Sequence, residues 1–272
     1  MDVCAKVRGI LHQKRVGHGG TLDPMATGVL PVFVGNATRA VEFAEKADKE
    51  YIATLTLGLT TNTQDSTGQV LQRRPVTAGQ EAVEAVLPRF TGEILQVPPM
   101  YSAIKRNGVK LYELARRGVE VERQPRPVTI YELELLERLD ETNYVIRVRC
   151  SKGTYIRTLC HDIGAALGCG GVMSSLRRTM AAGFTIHQAV TLEEVEEKGA
   201  ALLLPTDRFF AQYPAYTILT ARQEQRCRNG NPIQAEGLEP GLYRVYGRDG
   251  TFLCLSDCRD GQLVSVKNFF GG

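Results

Sequence analysis

The sequence predicts an α+β protein with a small β-rich part at its C-terminal end, and three observations carry that prediction. Runs with β-branched enrichment or alternating burial at 51–57, 128–139 and 144–150 have strand length, and the last two are joined by Asp140-Glu141-Thr142-Asn143. Segments with helical apolar spacing stand among them. Beyond Pro205 the chain turns to short pieces punctuated by Gly230, Pro232, Gly237, Pro240, Gly241, Gly247, Gly250 and Gly261, the texture of a small β module.

In chain order, Val3, Val7, Ile10 and Leu11 have helical spacing, with no visible N-cap, and the helix runs on to the glycine-rich turn Gly17-His18-Gly19-Gly20. Residues 29–34 then read as a buried strand and 51–57 as a second. The stretch 60–68, rich in Thr, Asn, Asp and Gly, is a connection. Residues 78–90 are helix-like, and Leu111, Leu114 and Ala115 suggest a short helix stopped by Gly118. Along 144–150, Ile146, Val148 and Cys150 alternate with Arg147 and Arg149, so one face is expected dry and the other wet. A helix from about 154 carries Ile156, Leu159, Cys160, Ile163 and Leu167 on one side and ends at Gly168. Thr191-Leu192-Glu193-Glu194 is a capping box for another helix. A domain boundary is expected within 208–216, near Tyr213-Pro214, which divides the chain into 1–212 and 213–272.

A chain of 272 residues with 43% hydrophobic and 23% charged residues can bury a substantial core, and this balance excludes disorder, collagen and coiled coil. No apolar run approaches the roughly 18 residues needed to cross a bilayer. The start Met1-Asp2-Val3-Cys4-Ala5-Lys6-Val7-Arg8 lacks the apolar centre of a signal peptide, so a cytoplasmic location and no membrane partner are expected. Seven scattered cysteines read as reduced thiols. Cys254 and Cys258 are spaced C-x-x-x-C and Cys160 adjoins His161, but no second pair completes zinc-ligand spacing, and no metal is expected.

The familiar signatures of nucleotide binding and hydrolysis are missing: there is no phosphate-binding P-loop, no G-x-G-x-x-G, no G-x-S-x-G and no H-E-x-x-H. The protein must therefore work through a carboxylate, arginines or tyrosines, or by binding alone. The net charge of +3 decides nothing, but its distribution is informative. Between Tyr101 and Arg126 lie Lys105, Arg106, Lys110, Arg116, Arg117, Arg123 and Arg126 against Glu113, Glu120 and Glu122. Taken alone, this is a solvated helix face or a phosphate-gripping patch.

The run Gly17-His18-Gly19-Gly20-Thr21-Leu22-Asp23-Pro24-Met25-Ala26-Thr27-Gly28-Val29-Leu30 places a carboxylate in a loop between flexible glycines and a buried strand. Its plain reading is a turn that Asp23 caps and Pro24 stiffens. It also resembles the motif of the TruB-type tRNA pseudouridine synthases, in which the Asp of Gly-x-Leu-Asp-Pro-x-Ala-Thr-Gly is the nucleophile. Ser151-Lys152-Gly153-Thr154-Tyr155-Ile156-Arg157, Lys49-Glu50-Tyr51, Leu176-Arg177-Arg178 and Pro98-Pro99-Met100-Tyr101-Ser102-Ala103-Ile104-Lys105 are similar to further segments of that family. The similarity runs from the first helix to about residue 210, and the tail with Asn229-Gly230-Asn231-Pro232 looks like a PUA RNA-binding module.

The resemblance implies a mixed, mainly antiparallel sheet with flanking helices, and isomerisation of the T-loop uridine at position 55 of tRNA without a cofactor. It implies Asp23 as nucleophile, with Arg157 beside it in the first turn of a helix. Burial alone would favour a neutral carboxyl, so a permanent cation is needed there. Tyr51 and Tyr155 would receive the everted base, His18 would fill the space the base leaves, and Leu176 would wall the pocket. Lys105, Arg106, Lys110, Arg116, Arg117 and Lys152 would bind the RNA, with the T stem-loop as partner and a monomer as the working form. From the residues alone, the tyrosines could equally be core tyrosines and Arg157 a surface helix arginine. A non-catalytic RNA-binding or tRNA-folding protein, and a synthase acting on a different RNA, are the competing readings. One departure stands out: family members carry a strand and turn with Asp-Lys-Pro and then Gly-x-Thr-Ser ahead of the first helix, and this chain has none. A misassigned start or a truncated chain is expected to account for this, for the missing N-cap, and for a sheet edge left unpaired.

Overall fold

The computed structural model describes residues 2–271, which gather into two compact units. One comprises residues 21–30 and 46–189, the other residues 2–20, 31–45 and 190–271.

The first unit is built on a seven-stranded sheet in the order Phe184–Thr185, Gly171–Ala181, Lys49–Leu57, Asn143–Cys150, Arg126–Arg138 and Gly92–Gln96, all antiparallel, with Thr27–Gly28 added in parallel to Gly171–Ala181. This is the expected α+β arrangement with a mainly antiparallel sheet. Alternation sets the faces: Tyr51, Ala53, Leu55 and Leu57 are buried while Glu50, Ile52, Thr54 and Thr56 are half-exposed. The neighbouring strand behaves as its sequence predicts, with Ile146, Val148 and Cys150 buried and Arg147 and Arg149 on the wet side. The Ile156–Ala166 helix lays Ile156, Leu159, Cys160 and Ile163 on the dry face. Burial pushes the thiols of Cys150 and Cys160 up to about 12, which marks them as inert packing groups.

That helix sits unusually close to the sheet at Gly164. A Cβ there would lie 2.2 Å from the Gly171 backbone nitrogen, so only hydrogen fits. The helix ends at Gly168, whose φ of 78° is the left-handed conformation expected of its stop signal.

In the second unit, the Val3–Leu11 helix does have an N-cap: Asp2 accepts a hydrogen bond from the Ala5 backbone N–H at 3.1 Å. The expectation of an uncapped helix was wrong because the cap is the second residue of the chain, where no preceding context frames it. Thr191 and Glu194 form the predicted capping box of the Leu192–Lys198 helix. A five-stranded sheet runs Ala215–Thr217, Gly241–Tyr246, Phe252–Arg259, Gln262–Asn268, Ile233–Gln234, which gives the β-rich tail its form. Phe33, Phe43, Phe209, Phe210, Phe252 and Phe269 make a cluster of edge-on and tilted rings.

Other differences from the sequence reading have local causes. The strand expected over 29–34 is confined to Val32–Val34, because Pro31 lacks an N–H for a ladder. The helix-like stretch 78–90 is an α-helix over Gln80–Val86 that tightens into a 3-10 turn at Leu87–Phe90, which contains Pro88. The connection at 60–68 opens with a strand residue pair, since Leu59–Thr61 pairs with Val70–Arg73. No helix of the described residues is long and apolar enough to cross a membrane.

Substituting Gly164→Ala is expected to destabilise the protein by about 1–3 kcal/mol, as overpacking of a close backbone contact does. Chemical denaturation checks this, and an unchanged midpoint would show that the helix can lift off the strand freely.

Candidate active site

The site begins with a packing problem at the start of the Ile156–Ala166 helix. Arg157 occupies its first turn and is 5% exposed. A buried guanidinium carries five N–H donors, and each one left without a partner is costly. Three separate segments supply acceptors. Asp23 receives a forked contact, Nε to Oδ2 at 2.9 Å and Nη2 to Oδ1 at 3.2 Å. The Thr63 carbonyl accepts from Nη1 at 3.1 Å and the Tyr101 carbonyl from Nη2 at 2.9 Å. Asp65 stands 3.8 Å from Nε. Arg157 is therefore no surface arginine, and the predicted pairing with Asp23 is realised.

The Asp23 loop bridges two elements. Its own turn is closed by the Ala26 N–H donating to the Asp23 carbonyl at 2.9 Å. Further on, the backbone passes so close to the Gly171–Ala181 strand that a Cβ on Gly28 would come within 2.2 Å of the Arg178 carbonyl oxygen. Gly28 also has φ 106°, where side chains are strained. The loop is thus laid directly on a strand backbone, which fixes the height of Asp23 above the sheet. Its side chain retains 32% exposure against 6% for that of Arg157, so the carboxylate is the accessible member of the pair.

Asp65 was not singled out from sequence. Its Oδ1 accepts from Thr63 Oγ1, Thr67 Oγ1 and the Thr67 N–H at 2.8, 2.6 and 3.0 Å, and the segment is tied to Met173 by hydrogen bonds between Ser66 N–H and the Met173 carbonyl and between Met173 N–H and the Gln64 carbonyl. Thr158 Oγ1 also donates to Gln64 Oε1 at 2.7 Å. A dense Asn-Thr-Gln-Asp-Ser-Thr-Gly run was the only sequence signal, and it reads as an ordinary loop.

Tyr155 caps the same helix. Its backbone N–H and carbonyl make a reciprocal pair with the side chain of Gln96, a buried residue, at 2.8 and 3.0 Å. Tyr51 lies in register with Arg178 across the sheet. Burial pushes the phenols of both tyrosines up. Tyr51 packs in one cluster with Met25 and Ala26 of the Asp23 loop, and Tyr155 stands two residues before Arg157. Leu176 follows on the same strand face as Arg178, buried and in one apolar cluster with Tyr51, Met25, Ala26 and Ile156. His18 lies in the other unit, at the end of the Val16–His18 strand, with its Nδ1 buried and without a hydrogen-bond partner among the described residues.

The basic segment folds as a Lys105–Arg106/Val109–Lys110 hairpin turned at Asn107-Gly108, followed by the Leu111–Arg116 helix. Lys105, Arg106, Arg116 and Arg117 are exposed, while Lys110 and Arg116 flank the Tyr112 ring at 5.5 and 5.3 Å. Lys105 and Arg106 line a cavity of about 310 Å³ together with Arg123 and Arg126, two residues not among the predicted contacts. Lys152 is exposed in the turn ahead of Tyr155. A larger groove of about 580 Å³, lined by Glu50, Ile52, Arg149, Arg177 and His187 among others, lies on the opposite face of the sheet and includes none of the predicted site residues. Among the described residues no three of His, Cys, Asp or Glu gather as metal ligands.

Residues 8–156 match the model for the N-terminal domain of TruB family pseudouridylate synthases, and residues 157–210 match that for a tRNA pseudouridylate synthase B C-terminal domain. A protein of Alkaliphilus oremlandii named tRNA pseudouridine synthase B is 46% identical over 250 residues, covering 91% of this chain and 83% of its own. One of Pseudomonas fluorescens with the same name is 46% identical over 269 residues, covering 95% and 88%. In three dimensions the chain is similar to one in the crystal structure of a Cbf5-Nop10-Gar1 complex, with a TM-score of 0.73 at 26% identity, covering 99% of this chain and 80% of that one.

Truncating Arg157→Ala would leave Asp65 buried without its cation. We expect the unfolding free energy to drop by about 3–5 kcal/mol, as when one partner of a buried pair is removed. A denaturant titration showing a loss below about 1 kcal/mol, the range of a surface pair, would contradict the burial described here.

Proposed function

Since the chain belongs to the TruB family of pseudouridylate synthases, we propose that it isomerises the T-loop uridine at position 55 of tRNA, with Asp23 as the nucleophile. The observation that carries this reading is the forked contact between Asp23 and the buried Arg157, made in the neighbourhood of two tyrosines. A forked contact of this kind fixes the orientation of the carboxylate as well as its place.

In this reading the uridine turns out of the RNA stack at a cost of about a few kcal/mol. Stacking on Tyr51 and Tyr155 offsets that by roughly 1–3 kcal/mol per contact. Leu176 supplies the apolar wall and His18 stacks where the uracil has left. Asp23 bonds to the nucleotide as the N1–C1′ bond breaks, the uracil rotates, and the bond to Asp23 breaks as C5 joins C1′, which restores the carboxylate. C5 releases one proton and N1 gains one, so product and substrate have the same atoms and no redox partner or cofactor enters.

Lys105, Arg106, Lys110, Arg116, Arg117 and Lys152 grip phosphates of the T stem-loop, where shape and charge dominate over base identity. Residues 213–272 serve as an RNA-binding module of PUA type behind a catalytic domain of residues 1–212. The protein acts as a monomer in the cytoplasm.

Two measurements test this. Asp23→Asn is expected to abolish pseudouridine formation, followed by proton release from uridine C5 in a tRNA transcript, while the Kd for tRNA changes by less than about tenfold, or 1.4 kcal/mol. An active Asp23→Asn protein would refute the nucleophile. Separately, log Kd for tRNA should rise steeply with log salt, and Lys105→Ala or Arg106→Ala should each lower that slope by about 1. A flat profile would remove the phosphate-gripping role from the basic segment.

A further inference from the structure

Arg178 is the other buried arginine of the catalytic unit, 1% exposed, and the proposed chemistry leaves it without a role. Its side chain reaches across the loop that carries Asp23. Nε donates to the Val29 carbonyl at 2.7 Å and Nη1 to the Thr21 carbonyl at 3.3 Å, which are the two ends of that loop. Its own carbonyl accepts from the Val29 N–H at 2.9 Å, and its backbone pairs with Gly28. Across the sheet its backbone stands in register with Tyr51.

These contacts need an arginine. Packing alone would be served by an apolar chain, and a lysine could place charge at a single point. Only a planar fork can hold two carbonyls eight residues apart in sequence. Asp23 lies two residues beyond the first anchored carbonyl, and its own carbonyl is bonded within the turn, so little freedom remains between the anchors.

The geometry points to Arg178 as a positioning residue for the reaction: by tying both ends of the 21–29 loop to one strand, it sets the place of the Asp23 carboxylate. The inference rests on the reading of Asp23 as the reacting group. Arg178 itself touches no substrate in this scheme and acts through the loop.

Arg178→Lys tests it, with kcat and KM for pseudouridine formation, the melting temperature, and hydrogen exchange of the 21–30 backbone. A misplacement of about 1 Å in a reacting group lowers turnover about 100-fold, so kcat should fall by that order while KM stays within about twofold. Exchange should quicken over 21–30 and hold elsewhere in the unit. Unchanged kcat, or kcat and KM shifting together, would overturn the proposal, as would exchange rising throughout the unit, the mark of a general core residue. Should Arg178→Lys fail to fold, Gly28→Ala decides. Its Cβ presses on the Arg178 carbonyl and should give the same loss in kcat alone, and full activity would overturn the proposal. Asp23→Asn is measured alongside. If it turns over, the nucleophile reading falls, whereas an inactive Asp23→Asn beside a fully active Arg178→Lys sinks only the positioning role.

Discussion

The guanidinium of Arg157 is the point on which the catalytic unit turns. A permanent cation at 5% exposure must find acceptors for its donors, and it sits in the first turn of a helix whose positive end adds to the local charge. Both conditions call for carboxylates. Asp23 and Asp65 answer from two separate stretches earlier in the chain, and the carbonyls of Thr63 and Tyr101 take up further donors. The result is a convergence of three chain segments on one side chain. A pair of this kind contributes little net stability of its own, because desolvation offsets most of the attraction. Its consequence is geometric: any other arrangement of these segments would strand a buried charge.

Close backbone approach gives that convergence its rigidity. Gly28 brings the Asp23 loop onto the Gly171–Ala181 strand, and Gly164 brings the Arg157 helix onto the start of the same strand. One strand therefore references both members of the ion pair, from two contacts that exclude even a methyl group. Arg178 reinforces the first contact with side-chain hydrogen bonds at both ends of the loop. The Asn62–Gly68 stretch is referenced to that strand too, through Met173.

Much of this framework was legible in the letters. Alternation along 144–150 told which arginines would be wet, the Thr191 capping box marked its helix, and the glycine at 168 marked a helix end. The pairing of Asp23 with Arg157 was legible through the resemblance of their motifs, while the residues alone allowed a turn and a surface arginine. The central Gly171–Ala181 strand was not read beyond three of its residues, because Ser174, Ser175 and a buried arginine break its apolar pattern. Asp65 and Gln96 escaped notice for a related reason: each is a polar residue in an unremarkable stretch, and its importance lies in a partner more than fifty residues away.

By itself, the sequence determined the alternating faces of the strands, the ends of the helices and the family motif, all of which depend on neighbours within a few residues. Tertiary structure decided which polar groups are buried together: that Arg157 has two carboxylates and two carbonyls, that Arg178 spans the Asp23 loop, and that the basic hairpin shares a cavity with Arg123 and Arg126. The physical reason is that a buried donor is costly until it is paired, and its partners can come from anywhere in the chain. Local preference cannot name them.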